Sequence, residues 1–558
     1  MGLETEYAVT VGQGGAAAPS AGQVYDAIAD VIRHEMPAVA ATHDPTRWFL
    51  ANGASLSLET HAFLREMPGG LIEVATPEVT CPSDLLTCQR AIDRMMEQAA
   101  GDVHLGRPIR LLKNSRDAVG HAYGCQENYE CDVATGWMLG LYRLAILCLW
   151  VVQVFCLALA GPALALLLVA TGWRAWRDPT MAGDADAQFR SLPKWLSAGC
   201  IGALRLAHRP LVIGLRLVTR HLAFRQHRRY LTGLLISRVC LCGSGHLDRD
   251  GCFFLSGKAC LIDRVCDLGG FQGERPVYVF GHWLAQLFGH SLGSLWQTRG
   301  LLARRQRLQI GLADSNLSDL AELVKVGSVA LILDMIESGE TSGLPTVRRP
   351  LRSLFVFNRD WNLVRRVKTS LGMFTSLELQ SHYRKAAERY VADRRAELTE
   401  TSGSPHDDLR EAERVLAVWG EAIHYVREFR IDGHQTQQGL GRIDWLGKRW
   451  MLDQLGPGAT YASRKKVDLR YHELSPQGYL RRMPVGTRQR LVSAAAVELR
   501  RRSPPPDSPA AQRGWWIREF ADAADPVSVE WDRGTVGVGK ARRQSTFEGA
   551  LPLAPRRS

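Results

Sequence analysis

Met1-Gly2-Leu3-Glu4-Thr5-Glu6-Tyr7 opens the chain, and its alternation decides how the rest is read. Side chains alternate across a strand, so Glu4 and Glu6 at i and i+2 share one face. Two acids on one strand face, with more acids and a distant Asn nearby, suit Mg²⁺ held beside a nucleotide phosphate. Gln126-Glu127-Asn128-Tyr129 and Ala313-Asp314-Ser315-Asn316 supply those further groups.

Around this strand the spacing of apolar residues predicts mixed structure. Residues 23–36 read as a helix with Val24, Ile28, Val31 and Ile32 on one face. Residues 83–99 read as a helix capped by Ser83. Gly53 to Glu59 alternates like a strand, and 318–337, 376–398 and 407–428 read as helices. Thr401–Pro405, Gly456–Gly458 and Ser503–Pro509 read as loops, and the polar tail from about 540 as frayed.

With 558 residues and 46% apolar content, the chain can bury a sizeable core and exceeds the usual single-domain size. The net charge of +12 is dispersed along the sequence, and no basic-aromatic module points to nucleic acid. A solvated basic surface is the plain reading of that charge, and an acidic partner the functional one. Twelve cysteines follow a first strand that leaves no room for a signal peptide. That argues for a reducing, cytoplasmic setting with free thiols. Cys240, Cys242, Cys252, Cys260 and Cys266 lack the C-x2-C pairs of zinc sites and read as buried small hydrophobes on strands.

Residues 144–173 contain no charged side chain. As a helix they would extend about 45 Å, against a bilayer core of about 30 Å. An odd number of crossings is excluded if acids before and after the segment share one site. A hairpin broken at Gly161-Pro162, an interfacial anchor and a buried helical insert all remain open. Trp173, Arg174, Trp176 and Arg177, with the basic stretch from Arg216 to Arg229, suit an interface. Cytoplasmic localisation with membrane contact through 144–173 is therefore one expectation, and burial on the sheet or on a second copy is the other.

Motif order carries further information. Phe49-Leu50-Ala51-Asn52-Gly53-Ala54, Glu73-Val74-Ala75-Thr76-Pro77-Glu78, Lys113-Asn114, and Tyr123-Gly124-Cys125-Gln126-Glu127-Asn128-Tyr129 follow the opening strand. Arg307-Leu308-Gln309, Asp314-Ser315-Asn316, Ile443-Asp444-Trp445, Asp468-Leu469-Arg470-Tyr471-His472 and Val529-Glu530-Trp531 come later. Each piece is weak alone. In this order they resemble the Pup–protein ligase and depupylase family, whose fold is that of glutamine synthetase. The stretch from about 137 to 230 has no counterpart in that pattern.

The resemblance implies an α+β fold: a curved antiparallel sheet with helices on one face, a small C-terminal domain and a hydrophobic helical insert. The boundaries expected are 1–136 and 231–445 for the catalytic domain, 137–230 for the insert and 446–558 for the C-terminal domain. ATP and Mg²⁺ are the implied cofactors. A small acidic Pup-like modifier and lysine-bearing proteins are the implied partners. Glu4 and Glu73 fall on metal-ligand positions, with Glu6 and Glu127 as further acids of the row. Thr76 and Trp531 fall on ATP-contacting positions, Trp531 against adenine. Arg238 and Arg307 are candidate phosphate cations.

Departures gather at one place. Glu59 stands where the family has its catalytic Asp, so it is the expected base, one methylene longer. Ser55 replaces an ATP-binding Arg, Ser57 replaces a metal-binding Tyr, and Gln126 and Gln309 replace two His. An insertion from His61 to Leu71 separates Glu59 from Glu73. Three readings follow. One is an ATP-dependent ligase joining the modifier's C-terminal Glu to lysines through a γ-glutamyl phosphate. The second is a depupylase or deamidase. The third is a non-catalytic, membrane-associated relative.

Overall fold

The computed structural model describes the chain apart from residues 13–16, 43, 45, 60–64, 66, 179–187, 190, 271–272, 289–299, 403–406, 433–438, 485–486, 540–541 and 548–558. Residues 61–64 and 66 of the insertion after Glu59 and the end of the tail thus lie outside the described residues. Two compact units emerge. Met1–Tyr129, His227–Asp263 and Gln309–Ser558 form the first, Glu130–Gln226 and Arg264–Leu308 the second. Residues 446–558 fall within the first unit, and Arg264–Leu308 falls with most of the expected insert in the second.

The first unit is built on an antiparallel sheet. Its strands are β1 (Gly2–Val11), β2 (Ala38–Ala40), β3 (Trp48–Leu50), β4 (Ser55–Leu58), β5 (Leu71–Ala75), β6 (Ile109–Leu112) and β7 (Cys125–Asp132). They run in the order β7-β1-β5-β4-β3-β2, with β6 also on β1. β1 alternates as its sequence predicts: Leu3, Thr5, Tyr7 and Val9 are buried, Glu4 and Glu6 half-buried on the other face. Helices α1 (Ala21–Glu35) and α2 (Pro82–Asp102) close the apolar face over Tyr7, Val9, Leu56, Ile72, Val74 and Leu111. That leaves the opposite face free to carry charge.

Local chemistry explains the helix ends. Ser20 accepts from the Gln23 amide while Gln23 reaches back to the Ser20 amide, a reciprocal cap on α1. α2 corrects one expectation. Its cap is Cys81, whose sulfur accepts from the Asp84 amide at 3.4 Å, and Pro82 opens the helix. Ser83 lies inside the first turn. The helix Asp319–Glu337 starts at Ser318 as expected and is buried almost all round, which its lack of a polar stripe requires.

The C-terminal segment folds back onto the N-terminal strands. Val529 bridges Ala41 in parallel, and the Thr42 amide donates to Glu530 at 3.0 Å. The tail is not frayed throughout, since Arg543–Thr546 forms a strand on Arg533–Val536. Cys240 and Cys242 are buried, but on a short helix, and Cys252 is exposed.

The second unit contains the apolar segment. Helix α3 runs over Gly136–Arg177 and α4 over Lys194–His221, packed as a hairpin. Gly214 of α4 packs tightly on α3: a Cβ there would lie 2.5 Å from Leu149 Cδ2. Tyr142, Phe224, Phe280 and Trp283 form an aromatic core at the base. Arg216 ties α4 to Asp267 at 2.8 Å and to Glu274 at 2.9 Å. The strands Arg264–Asp267 and Pro276–Val279 pair in parallel.

Candidate active site

Cross-strand register assembles an acid row on the open face of the sheet. Glu6 of β1 stands opposite Glu73 of β5, and Glu73 stands opposite Ser57 of β4. One step along, Glu4 stands opposite Gln126 of β7. Gln309 donates to Glu4 at 3.1 Å and also to Gln126. Glu59 follows β4 directly, is exposed, and its charge acts on both Glu6 and Glu73. Glu4, Glu6, Glu59 and Glu73 are thus brought together.

Like charges this close oppose one another's ionisation. Burial lifts the Glu73 carboxyl well above the usual carboxylate range, and the charges of Glu4, Glu59 and Glu6 lift it further. Burial likewise raises Glu6, with Glu59 and Glu4 adding and Lys258 and the Gly124 amide opposing. The Gly124 amide donates to Glu6 at 2.9 Å.

Two cations at this row were missed from the sequence. Arg47 approaches Glu73 at 3.7 Å. Lys258 acts on Glu6, and Asp314 sets the loop that carries it: its carboxylate accepts from the Ser244 amide and hydroxyl, the Ser256 hydroxyl and the Lys258 amide. A lone Arg before a strand or a lone Lys in a loop carries no spacing signal, so only the folded chain shows them.

Glu127 and Arg238 do not belong to the row. Glu127 pairs in register with Leu3, whose side chain is in the core, so it points to the opposite face from Glu4. There it is fully buried and accepts from Tyr129 at 2.7 Å and from both terminal nitrogens of Arg238. Arg238 also donates to the Lys325 carbonyl at 3.1 Å and the Leu312 carbonyl at 2.6 Å. Its donors are committed to the interior, which removes it as a phosphate cation. Arg307 is half-buried on the strand Arg305–Ile310, two residues before Gln309, and belongs to the second unit.

Thr76 is buried, and its hydroxyl accepts from the Leu3 amide at 3.0 Å while its own amide donates to the Leu3 carbonyl. It ties β1 to the end of β5. Trp531 lies just past the strand Val527–Val529, not within it. Phe49 meets its ring edge-on at 5.1 Å, and the Arg513 guanidinium lies 4.7 Å from its centroid. Arg513, fully buried, also donates to Glu78 and to the Gly53 and Trp531 carbonyls. We expect Trp531→Ala to cost roughly 2 kcal/mol in urea unfolding, less than a fully buried Trp because its ring is half-exposed. A role against adenine would also weaken ATP binding of the folded protein about 5- to 150-fold. Unchanged affinity would leave Trp531 to packing alone.

The family described as Pup-ligase protein matches residues 1–535. The chain belongs to this family. Membership places it among the enzymes of Pup conjugation. The Pup–protein ligase of Corynebacterium kroppenstedtii is 22% identical over 96% of this chain and 90% of its own. That of Acidimicrobium ferrooxidans is 24% identical, over 95% and 91%. The depupylase of Acidothermus cellulolyticus is 24% identical, over 87% and 74%. Among solved structures, the ligase PafA in complex with Pup shares the fold at a TM-score of 0.66, with 18% identity over 100% of this chain and 90% of that one. PafA in complex with ADP gives 0.60, with 17% identity over 92% and 89%.

The acid row fits a divalent cation. It offers hard carboxylate oxygens from two facing strands, and its self-repulsion is of the kind a positive ion relieves.

Proposed function

We propose that the protein joins the C-terminal Glu of a Pup-like modifier to substrate lysines at the expense of ATP. The facing pair Glu6 and Glu73, with Glu4 and Glu59 beside them, carries this reading. Glu4, Glu6 and Glu73 would hold Mg²⁺, which when bound neutralises phosphate charge and orients the nucleotide. The modifier's γ-carboxylate attacks the terminal phosphorus and ADP leaves. The lysine amine then attacks the acyl carbon, and phosphate leaves as the isopeptide bond forms. Glu59, exposed where β4 ends, takes the proton that the amine gives up. Arg47 and Lys258 supply positive charge where Ser55 supplies none.

The depupylase among the relatives favours hydrolysis as the second reading. Hydrolysis would use the same row with water as the nucleophile.

The test is an assay of the full chain with Mg·ATP, a Pup ending in Glu or Gln, and a lysine-bearing protein. Ligation gives one ADP per conjugate and a γ-glutamyl-lysine bond by mass spectrometry. Release of Pup from a preformed conjugate without matching ADP would replace ligation by hydrolysis. Neither product would leave a non-catalytic relative. Glu59→Gln is expected to keep the fold and nucleotide binding while lowering turnover about 100- to 10,000-fold, since an amide accepts no proton at neutral pH. Full activity in this variant would move the base elsewhere.

A further inference from the structure

We propose that the α3–α4 hairpin docks flat on an anionic lipid bilayer, with one face of α3 seated in the headgroup–acyl boundary. The 42 residues of α3 are long and apolar enough to cross a membrane, yet only 28% of its most apolar window is buried in the protein. The two faces of the helix differ over residues 142–160, and beyond them no residue of α3 is buried. Tyr142, Ile146, Leu149, Gln153, Cys156 and Ala160 recur every three or four residues and are buried. On the opposite side, Trp137, Leu144, Phe155, Leu159, Leu166 and Trp173 fall within one narrow stripe at 3.6 residues per turn. All six are exposed, Trp137 at 77% and Leu159 at 70%.

This stripe is bracketed by tryptophans, which favour the membrane interface. They lie 36 positions apart in the sequence, about 54 Å along the helix. A bilayer core is about 30 Å thick, so the stripe is too long for its two ends to meet opposite interfaces. A helix lying along one interface accommodates that length.

α4 supplies the matching charge. Arg205 and Arg209 are exposed and share one side of α4. Trp195, Leu206 and Leu217, spaced by eleven, form an exposed apolar line beside them. Neither α3 nor α4 contains a single Asp or Glu. A second copy of the hairpin would therefore bring basic side chains together, whereas anionic headgroups complement them.

The experiment floats the full chain, exchanged from mild detergent, with phosphatidylcholine vesicles with or without phosphatidylglycerol. Flotation is expected with the anionic vesicles, weaker with the neutral ones, reduced by salt and reversed by alkaline carbonate. Arg205→Gln with Arg209→Gln should weaken partitioning about 30-fold, on roughly 1 kcal/mol per basic residue. Phe155→Glu with Leu159→Glu should abolish flotation while the circular-dichroism melt is unchanged. Equal binding to both vesicle types, or none, would overturn the proposal. Retention after carbonate would mean that α3 crosses the bilayer. A dimer in solution that the Phe155 and Leu159 variants dissociate, without vesicle binding, would assign the face to a second copy.

Discussion

Arg238→Ala is expected to destabilise the protein by about 3–5 kcal/mol, seen as a lower urea midpoint. Glu127 is fully buried, and Arg238 is its charge partner through both terminal nitrogens. Removing the guanidinium strands a carboxylate in the interior and leaves the Leu312 and Lys325 carbonyls without that donor. The loss belongs to the broken pair more than to any net worth of the pair itself. Replacing both partners, as in Arg238→Met with Glu127→Leu, should therefore recover about half of it. Only part returns, because Tyr129 loses its acceptor at 2.7 Å. ATP affinity of the folded fraction should stay the same in both variants. A fall in affinity with stability intact would return Arg238 to the nucleotide site.

This pair shows where the sequence could and could not be read. Glu4 and Glu6 were legible because period-two alternation places both on one face whatever β1 pairs with. Glu127 was not, because its face depends on register. β7 sets Gln126 opposite Glu4 and Glu127 opposite Leu3, and a shift of one residue exchanges their faces. Nothing local distinguishes the two registers. Glu73 and Glu59 came through motif order, which survives where pairing cannot be computed. Arg47 and Lys258 reach the row from a strand approach and a clamped loop, positions that only tertiary structure defines. The Cys81 cap was hidden for a simpler reason: Ser83 is the better capping residue, but Pro82 fixes the first helical turn one residue earlier.

Glu73→Gln is expected to raise the melting temperature of the ligand-free protein at neutral pH and at the same time to abolish its stabilisation by Mg²⁺. The unfolded Glu73 ionises near 4.5, and in the folded protein its carboxyl is raised well above that by burial and by Glu4, Glu59 and Glu6. Above 4.5 the folded state therefore binds the proton more tightly than the unfolded state does. Unfolding releases protons in that window, so this group's contribution to stability is present at low pH and is lost as pH rises. Glu6, raised for the same reasons, acts in the same direction. A divalent cation displaces the proton and cancels the repulsion, so the Mg²⁺-induced rise in melting temperature should grow with pH in the native protein. Gln carries no charge to repel and no proton to release, which flattens the difference on both counts. Mg·ATP affinity should fall by more than the roughly 10–100-fold that losing a group which only orients a ligand costs, because a coordinating oxygen is removed outright. Melting curves over pH with and without Mg²⁺, and calorimetry with Mg·ATP, measure both effects. An undiminished Mg²⁺ shift in Glu73→Gln would show that the ion sits away from the β1–β5 pair. A destabilised ligand-free variant would show that the Arg47 contact at 3.7 Å outweighs the repulsion from the three neighbouring acids.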